Sequence, residues 1–337
     1  MEHEIRDITI IGAGPTGLFA LFYAGMRGAP AQIVDALPEA GGQLTALYPE
    51  KYIFDVGGLP KILAKDLVRS LVEQAGQFKS PIHCNQHVIA LEEADGIFTL
   101  VTETDRFPTR AIVIAGGIGA FEPRRLPQPA AAWYGRGIFD RVSDPAEFTG
   151  QRVVIIGGGD SAFDWAHQLR GRAASVALVH RSDRYRAHAS TVAEVHAAAA
   201  AGETSLHPFH ELHDVIAEGD RIVALDLKDI KAKSTRRIEA DVVLPMLGYV
   251  SDIGALAEWG LQVESDEIVV NSQMETGRAG VYAAGDITTY PGKLKLIATG
   301  FGEAATAVNQ AVHHIYPEKK VNPGHSSNLA IFGQKDD

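Results

Sequence analysis

The sequence predicts an α/β fold made of two units of the same kind, with the second unit inserted into the first. Two segments, 8–27 and 152–170, each combine a short apolar strand, a glycine-rich turn and a helical pattern. A further strand with a glycine turn, 280–286, precedes a Gly- and Ala-rich helix at 302–315. This alternation is typical of Rossmann-like domains, in which helices cover a parallel sheet. We therefore expect two Rossmann-like domains, each with three layers (β/β/α).

The first unit begins with a strand at 8–11, a glycine turn at 12–17 and a helix at 18–27. A second strand, 32–34, ends at an acid about 18 residues beyond the last glycine of the turn. Glycines in such a turn permit a tight bend, a close approach of the backbone to a pyrophosphate, and close packing of helix on strand. The acid can accept hydrogen bonds from ribose hydroxyls. The pattern predicts a dinucleotide site, with a chance glycine turn as the alternative, at Gly12, Gly14, Gly17 and Asp35.

The second unit repeats this order, with a strand at 152–156, a glycine turn at 157–162 and a next strand at 175–179. A shift of 145 residues superposes the four marker residues of the first site on Gly157, Gly159, Ala162 and His180. Ala is tolerated where helix packs on strand. Position 180 carries no acid, and Arg181 and Arg186 follow it. Because Arg accommodates a ribose 2′-phosphate, this site is expected to prefer NADPH over NADH; the alternative is arginines on a solvated loop.

The domain boundaries follow from the sequence between and after the two turns. A strand at 112–115 meets a glycine cluster, and the Pro- and Arg-rich stretch 122–127 follows it as a crossover. A strand at 242–245 ends the second unit. The predicted division is a first domain formed by residues 1–118 and 248–316, an inserted domain at 119–247, and a polar tail at 317–337 without periodicity.

The composition is that of a soluble globular protein, and it excludes several classes of protein and of site. Of 337 residues, 46% are hydrophobic and 22% are charged, which excludes disorder as the main state. With Cys84 as the one cysteine, an internal disulfide, a CxxC pair and a thiolate zinc site are excluded, so redox chemistry would need a bound cofactor. The net charge of −11 argues against nucleic-acid binding. The first residues form neither a leader nor a membrane span, so we expect a cytoplasmic protein without membrane contact.

A group of histidines raises the question of a metal site. Its members are His207, His210 and His213. Pro208 interrupts any helical face, and the carboxylates at ligand spacing are Glu211 and Asp214. We therefore expect solvated histidines and no metal.

Several short motifs besides the two glycine turns are typical of one known family. They lie at 41–44 (GGQL), 47–52 (LYPEKY), 180–181 (HR), 185–188 (YRAH), 284–286 (AGD), 300–304 (GFGEA) and 325–327 (HSS). Together with the turns, they make the chain resemble, over essentially its whole length, the thioredoxin-reductase-like ferredoxin-NADP reductases of bacteria. These belong to the wider family of flavoproteins with two dinucleotide-binding domains. The resemblance implies FAD and NADPH as cofactors, a ferredoxin or similar small iron-sulfur protein as partner, and a homodimer.

The resemblance also assigns the residues of a flavin site. Gln43 follows two glycines that permit close backbone approach, so it is placed to meet the ring system. Asp286 is implied to hold the sugar-alcohol chain of the flavin, with a helix cap as the alternative. Tyr48 and His325 are implied to stack on opposite faces of the isoalloxazine ring; by themselves they could be a core aromatic and a surface residue. Further implied FAD contacts are Thr16, Val88, Phe121 and Ser327.

Two more expectations concern the ends of the bound cofactors. The helix that starts near 299–302 is expected to direct its positive end at the pyrimidine edge of the flavin. In the inserted domain, the family usually carries two arginines after the histidine, and Ser182 in the second place softens the expected NADPH preference. The residues implied to bind NADPH are Gly157, Gly159, Ser161, Ala162, His180, Arg181 and Arg186.

The function expected from the resemblance is that of a ferredoxin-NADP reductase, which takes electrons from NADPH through FAD and passes them singly to ferredoxin. A disulfide reductase is discarded because no cysteine pair lies around 134–139. An NAD(P)H quinone reductase or oxidase stays open, since acceptor choice depends on surface and access, and so does a non-catalytic flavin-binding sensor. Ferredoxins are acidic, so docking on this acidic chain needs a local basic cluster. The candidates are Lys51, Lys61, Lys65, Lys293 and Lys295.

Overall fold

The computed structural model describes residues 4–140, 142 and 144–321, and the chain divides into two compact units. The first unit combines the residues up to Phe121 with those from Ser251 onward, and the second unit runs from Glu122 to Val250. The second unit is thus an insertion in the first. The crossings follow residues 121 and 250, three residues after the predicted positions at 118 and 247.

Among the described residues, strands outnumber helices in both units. The first unit begins with β1 (Arg6–Ile11), α1 (Pro15–Met26), β2 (Ala31–Val34), α2 (Gln43–Ala46), β3 (Tyr52–Ile53), β4 (Ile62–Leu63), α3 (Ala64–Gly76), β5 (Ile82–His83), β6 (Val88–Ala94), β7 (Ile97–Thr102) and β8 (Arg106–Ile114). The first crossing contains β9 (Ala120–Pro123), and the second unit forms β10 (Arg152–Gly157), α4 (Asp160–Gln168), β11 (Ser175–His180), α5 (Ala189–Ala200), β12 (Ser205–Pro208), β13 (His210–Glu218), β14 (Arg221–Asp229), β15 (Thr235–Glu239) and β16 (Val242–Met246). The return crossing contains β17 (Tyr249–Asp252), and the first unit ends with β18 (Val263–Glu264), β19 (Glu267–Val269), β20 (Val281–Ala283), β21 (Thr288–Thr289) and α6 (Ile297–Ile315).

The first unit is built on a seven-stranded sheet with the order β5-β2-β1-β8-β7-β6, in which β20 also pairs with β8. β2, β1, β8 and β20 are parallel neighbours, whereas β6, β7 and β8 form an antiparallel meander. All four residues of β2 are buried, because a parallel strand is covered on both faces. In register, Ile11 lies beside Val34 and Ile114, and Ile114 lies beside Ala283. The carboxyl ends of these strands therefore share one edge, where the loops after them emerge.

Two helices of the first unit pack on each other beside this sheet. α1 contacts α3 and α6 as well as the sheet, so its apolar residues point to more than one face. α6 buries mostly small side chains, which let the two helices approach closely. Its buried residues are Gly300, Glu303, Ala304, Ala307, Val308, Ala311 and Val312.

The second unit has a parallel sheet with the order β12-β11-β10-β16 and a separate antiparallel sheet with the order β13-β14-β15. In register, Ile156 of β10 lies beside Val179 and Pro245. Phe163 of α4 and Leu244 of β16 are fully buried in the same core. The carboxyl ends of these strands again share one edge, and the loops after β10 and β11 emerge there.

The α/β prediction is confirmed, and two elements start earlier than the sequence indicated. α6 begins at Ile297 rather than at 299–302, and Gly300 and Gly302 lie within the helix. β8 begins at Arg106 rather than at 112, because its first half pairs with β7. Within the described residues, no helix is long and apolar enough to cross a membrane.

Candidate dinucleotide sites

The first glycine turn has two positions that require glycine and one that leaves space open. Gly12 has a φ of +105°, and a Cβ there would overlap the carbonyl oxygen of Ala115. A Cβ at Gly17 would overlap the carbonyl oxygen of Gly12, so this residue allows α1 to pack on the turn. At Gly14, by contrast, a Cβ would meet no described atom within 4 Å. The backbone at Gly14 is therefore accessible to a ligand.

The start of α1 suits an anion. Gly14 is its N-cap residue, no side chain caps the helix, and its first turn contains no acid. Proline occupies the first helical position, and the amides that follow it lack partners within the helix. Such an N-terminus carries a partial positive charge that attracts a phosphate group.

A second glycine pair supports the first turn from the side of α2. The Gly41 N–H donates to the carbonyl oxygen of Ala13 at 2.8 Å. Gly42 has a φ of +57°, and a Cβ there would lie 3.0 Å from the Cα of Gly14. The GGQL motif therefore lies directly on the glycine turn, and Gln43, the first residue of α2, follows at once.

Asp35 follows β2 and has a role that its spacing did not reveal. Its carboxylate is buried, with one oxygen accepting the Ala13 N–H at 2.5 Å and the other accepting the Leu37 N–H at 2.6 Å. Burial raises the pKa of this carboxyl, while the two N–H donors lower it. Asp35 thus holds the glycine turn in place, and its contact with a ribose stays a prediction.

Thr16 joins the start of α1 to two turns from the end of the chain. A Cβ at Gly285 would lie 2.9 Å from the Thr16 Oγ1, and a Cβ at Gly300 would overlap the same atom. Only glycine at 285 and 300 allows this approach. Asp286, which follows Gly285, is therefore brought to the edge of the sheet where the first glycine turn lies.

The Gln43 side chain lies close enough to the Asp286 carboxyl to influence its pKa, so two residues that the sequence singled out meet in space. Burial raises the pKa of Asp286, and the charges of Lys293 and Lys295 lower it. The helix-cap alternative is wrong, because α6 begins 11 residues later with Leu296 as its N-cap residue. The N-terminus of α6 carries neither a side-chain cap nor an acid in its first turn, as expected for a helix directed at an electron-rich group.

The other predicted flavin contacts are distributed around this edge or lie outside the described structure. Val88 begins β6, two residues after Gln86, whose N–H donates to the carbonyl oxygen of Asp35 at 2.8 Å. Tyr48 is half-buried after α2, with the Lys51 Nζ 5.9 Å from its ring centroid. His325, Ser327 and the side chain of Phe121 lie outside the described part of the chain.

The second glycine turn likewise has one position that requires glycine and one that leaves space open. A Cβ at Gly157 would overlap the carbonyl oxygen of Met246, whereas a Cβ at Gly159, the N-cap residue of α4, would meet no described atom within 4 Å. Ala162 is fully buried against the turn, and Ser161 is exposed. The backbone at Gly159 is therefore as accessible as that at Gly14.

The middle glycine of this turn has a function that the sequence pattern did not indicate. A Cβ at Gly158 would lie within 2.7 Å of the His180 Nδ1, so the imidazole ring lies directly on this backbone. The Gly158 carbonyl oxygen also accepts the Arg186 N–H at 2.7 Å. Burial is the main cause that lowers the pKa of His180, and the charges of Arg181 and Arg186 add to it, so the ring is neutral at pH 7.

The loop after His180 carries three arginines rather than the two that the sequence pattern indicated. Arg181, Arg184 and Arg186 are exposed, and none of them forms an ion pair with another described residue. The Ser182 hydroxyl donates to the Arg184 carbonyl oxygen at 3.1 Å and accepts its N–H at 3.2 Å, which closes a short turn. Arg184 was missed because the expected pattern had no basic position there.

The remaining candidates have ordinary surroundings. The expectation of a solvated side chain is wrong for His207, which is buried; burial lowers its pKa to about 4, so the imidazole is neutral. The described residues contain no cluster of three or more His, Cys, Asp or Glu that could hold a metal ion. Burial and the charges of Asp35 and Glu39 raise the pKa of Cys84, which keeps it a thiol.

The geometry of the first turn leads to a testable prediction. In protein stripped of bound ligand, Gly17→Ala should lower the free energy of unfolding by about 1–3 kcal/mol, because its Cβ meets backbone that cannot move aside. Gly14→Ala is the matched control, and we expect it to leave that free energy unchanged. Denaturant unfolding followed by circular dichroism measures both. Equal stability of the two variants would contradict the packing role of Gly17.

Comparisons with known proteins find similarity over nearly the whole chain. The sequence profile of the family described as pyridine nucleotide-disulphide oxidoreductase matches residues 6–311. The chain is 46% identical over 328 residues to ferredoxin–NADP reductase 2 of Listeria monocytogenes serovar 1/2a, covering 97% of this chain and 98% of that protein. It is 47% identical over 336 residues to ferredoxin–NADP reductase of Thermus thermophilus, covering 99% of this chain and 100% of that protein.

Solved structures show the same fold. Thioredoxin reductase from T. acidophilum has a TM-score of 0.79 and 24% identity, with 94% of this chain and 100% of that chain covered. Thioredoxin reductase from Lactococcus lactis has a TM-score of 0.78 and 24% identity, with coverage of 93% and 99%. At this identity the likeness concerns the fold alone.

Proposed function

Since this chain belongs to the pyridine nucleotide-disulphide oxidoreductase family, we propose that it is an NADPH-dependent FAD enzyme that reduces ferredoxin or a similar small iron-sulfur protein. Its resemblance to the ferredoxin-NADP reductases is confirmed, because relatives with that name are 46–47% identical over nearly the whole chain. The observation that carries the proposal is the convergence at one sheet edge of an accessible glycine turn, Asp35, Gln43 and Asp286.

The first unit has the hydrogen-bonding groups and helix N-termini that FAD binding requires. Gly14 and the uncapped start of α1 would bind the pyrophosphate, and Asp35 would accept the ribose hydroxyls. Asp286, which lies near Gln43, would accept hydroxyls of the sugar-alcohol chain. The uncapped start of α6 would face the pyrimidine edge, and a positive helix end stabilises negative charge there. Thr16, Val88, Phe121 and Ser327 complete the proposed contacts.

The second unit fits NADPH through a similar glycine turn, although the first turn of α4, unlike that of α1, contains an acid, Asp160. Gly157, Gly159 and Ala162 form the turn on which the pyrophosphate would lie, with Ser161 at the start of α4. Arg181 and Arg186, together with Arg184, would bind the 2′-phosphate that distinguishes NADPH from NADH. His180 is held on Gly158 as a neutral ring, so it would contribute shape and hydrogen bonding rather than charge.

The chemistry asked of the protein is mainly positioning. Bound FAD supplies the step that the side chains cannot perform, which is to accept an electron pair from NADPH and release electrons singly. Tyr48 and His325 are proposed to cover the two ring faces and to limit access of oxygen. A dithiol route is excluded because Cys84 is the one cysteine of the 337 residues. The chain is therefore an oxidoreductase whose electrons leave directly to a docked acceptor.

The lysines near this edge differ in their availability to an acidic partner. Lys65 is paired with Glu50 at 2.6 Å, Lys293 is buried on Glu303, and Lys295 is paired with Glu267. Lys61 lies 3.7 Å from the centroid of the Tyr52 ring, and the side chains of Tyr52 and Phe54 are 47% and 65% exposed. We assign the docking surface for ferredoxin to Lys61, Tyr52 and Phe54, with Lys51 beside Tyr48. A homodimer and a cytoplasmic location remain proposals.

One experiment tests the proposed function against its rivals. The purified protein should contain about one FAD per chain, and NADPH should bleach it rapidly. Turnover is then measured with ferredoxin, a quinone and oxygen as competing acceptors at low salt, where ferredoxin should give the fastest rate. Fast quinone turnover with a ferredoxin rate at background would make the chain a quinone reductase. A flavin that NADPH does not bleach would make it a sensor.

A further inference from the structure

A buried ion pair lies directly beside the Gly285–Asp286 turn. The Lys293 Nζ is 2.6 and 2.7 Å from the two carboxylate oxygens of Glu303 in α6. The two side chains are only 6% and 5% exposed. A pair of opposite charges removed from water is commonly no more stabilising than apolar residues of similar volume. Its contribution to the fold alone therefore does not explain its presence here.

The Glu303 carboxylate accepts hydrogen bonds from three residues. One oxygen accepts the Tyr290 hydroxyl at 2.6 Å, and the other accepts the backbone N–H of Gly285 at 2.7 Å. Burial, together with the bond to Glu303, raises the pKa of Tyr290 to about 12, so the hydroxyl keeps its proton and donates. With Lys293, each oxygen of Glu303 accepts two hydrogen bonds. Both oxygens of the Glu303 carboxylate are thus saturated with hydrogen bonds. The carboxylate connects the Gly285–Asp286 loop turn to the second helical turn of α6.

The turn that Glu303 holds is the one that presents Asp286. Gly285 has a φ of +84°, its N–H is held by Glu303, and its carbonyl oxygen accepts the Thr288 hydroxyl at 2.8 Å. Thr16 packs against the Cα of the same residue. The backbone before Asp286 is thus held by Glu303, Thr288 and Thr16, which sets the position from which the Asp286 side chain extends.

We propose that Glu303 and Lys293 are positioning residues that hold the Gly285–Asp286 turn so that the Asp286 carboxylate meets the flavin nucleotide. The inference rests on the proposed function, since it names what orients a residue of that FAD site. Glu303 acts through the Gly285 N–H, and Lys293 neutralises Glu303 beside a second acid. Burial raises the pKa of Asp286, and the positive charge of Lys293 opposes that rise.

The test measures the dissociation constant of FAD for the full-length protein after removal of its flavin, by quenching of flavin fluorescence. The double variant K293M/E303L removes both charges, keeps apolar volume and leaves the Gly285 N–H without its acceptor. Because the Gly285 N–H and the Tyr290 hydroxyl both lose their acceptor, we expect a lower thermal unfolding temperature than that of the wild type in a chain that still folds, while FAD binds about tenfold or more weakly. E303Q, which keeps an oxygen for the Gly285 N–H, is the milder second variant, with a smaller loss in the same direction.

The same variants in an Asp286→Ala background separate positioning from general stability. If Glu303 acts through Asp286, then K293M/E303L causes no further loss of FAD affinity once Asp286 is absent. An undiminished loss in that background, or wild-type FAD affinity in K293M/E303L and E303Q, would overturn the inference. A wild-type chain that binds no FAD would instead refute the proposed function, so the two failures are distinguishable.

Discussion

Replacement of Arg181 by alanine is expected to lower kcat/KM for NADPH about 10- to 150-fold and to leave kcat/KM for NADH nearly unchanged. The physical reason is the loss of a charge-assisted hydrogen bond to the 2′-phosphate, which is worth roughly 1.5–3 kcal/mol. NADH lacks this phosphate, so it loses nothing at that position. Steady-state kinetics with both nucleotides, at one ionic strength, provide the measurement.

Two further variants make this test specific. Arg172→Ala removes an exposed arginine before β11, at the opposite end of the strand from Arg181, and we expect it to change neither constant. The double variant Arg181→Ala/Arg184→Ala should lose more NADPH preference than Arg181→Ala, if Arg184 supplies charge that Ser182 does not. An equal loss with NADPH and NADH would show that Arg181 supports the loop and does not recognise the phosphate.

Ferredoxin-dependent turnover is expected to fall about tenfold or more when ionic strength rises from low salt to 1 M. Electrostatic steering raises association rates by roughly 10- to 1,000-fold, and the Debye length shortens from about 10 Å at 0.1 M to about 3 Å at 1 M. The chain carries a net charge of −11, so attraction of an acidic partner depends on local basic groups. Reduction of a neutral quinone by the same enzyme should change little and serves as the internal control.

A pair of lysine variants locates the surface responsible for this effect. Lys61→Gln should lower the ferredoxin rate at low salt about fivefold, equivalent to about 1 kcal/mol for one exposed charge near its partner. Lys65→Gln is the matched control, because its charge is already paired with Glu50 at 2.6 Å. A larger effect of Lys65→Gln than of Lys61→Gln, or a ferredoxin rate insensitive to salt, would contradict the docking surface around Tyr52 and Phe54.

Much of the fold could be predicted because local rules govern it. Gly12 and Gly17 were identified from spacing, and the structure shows the backbone contacts that require them. The strands at β1, β2, β10 and β11 were found because buried parallel strands are continuous apolar runs. The antiparallel meander β6–β8 was not predicted. The sequences of β6 and β7 do not alternate strictly between polar and apolar residues, so they lack the pattern that indicates a half-buried strand.

The same distinction applies to the start of α6. The sequence indicated a start of α6 near 299–302, where Gly300 and Gly302 lie, and glycine is unfavourable inside a helix. In the structure Gly300 is required by the close approach of Thr16, which lies nearly 300 residues away in sequence. Local propensity was overridden by a contact that no sequence window contains.

The sequence by itself determined the two glycine turns, the Rossmann-like α/β class, the exclusion of dithiol chemistry and the arginines after His180, because each depends on residue type at short spacing. The tertiary structure decided which side chains share a site. It bonded Asp35 to the glycine turn, brought Gln43 near Asp286, placed the His180 ring on Gly158 and buried Lys293 on Glu303. These contacts depend on which strands and helices end at the same edge of a sheet, and that is set only when distant segments pack together.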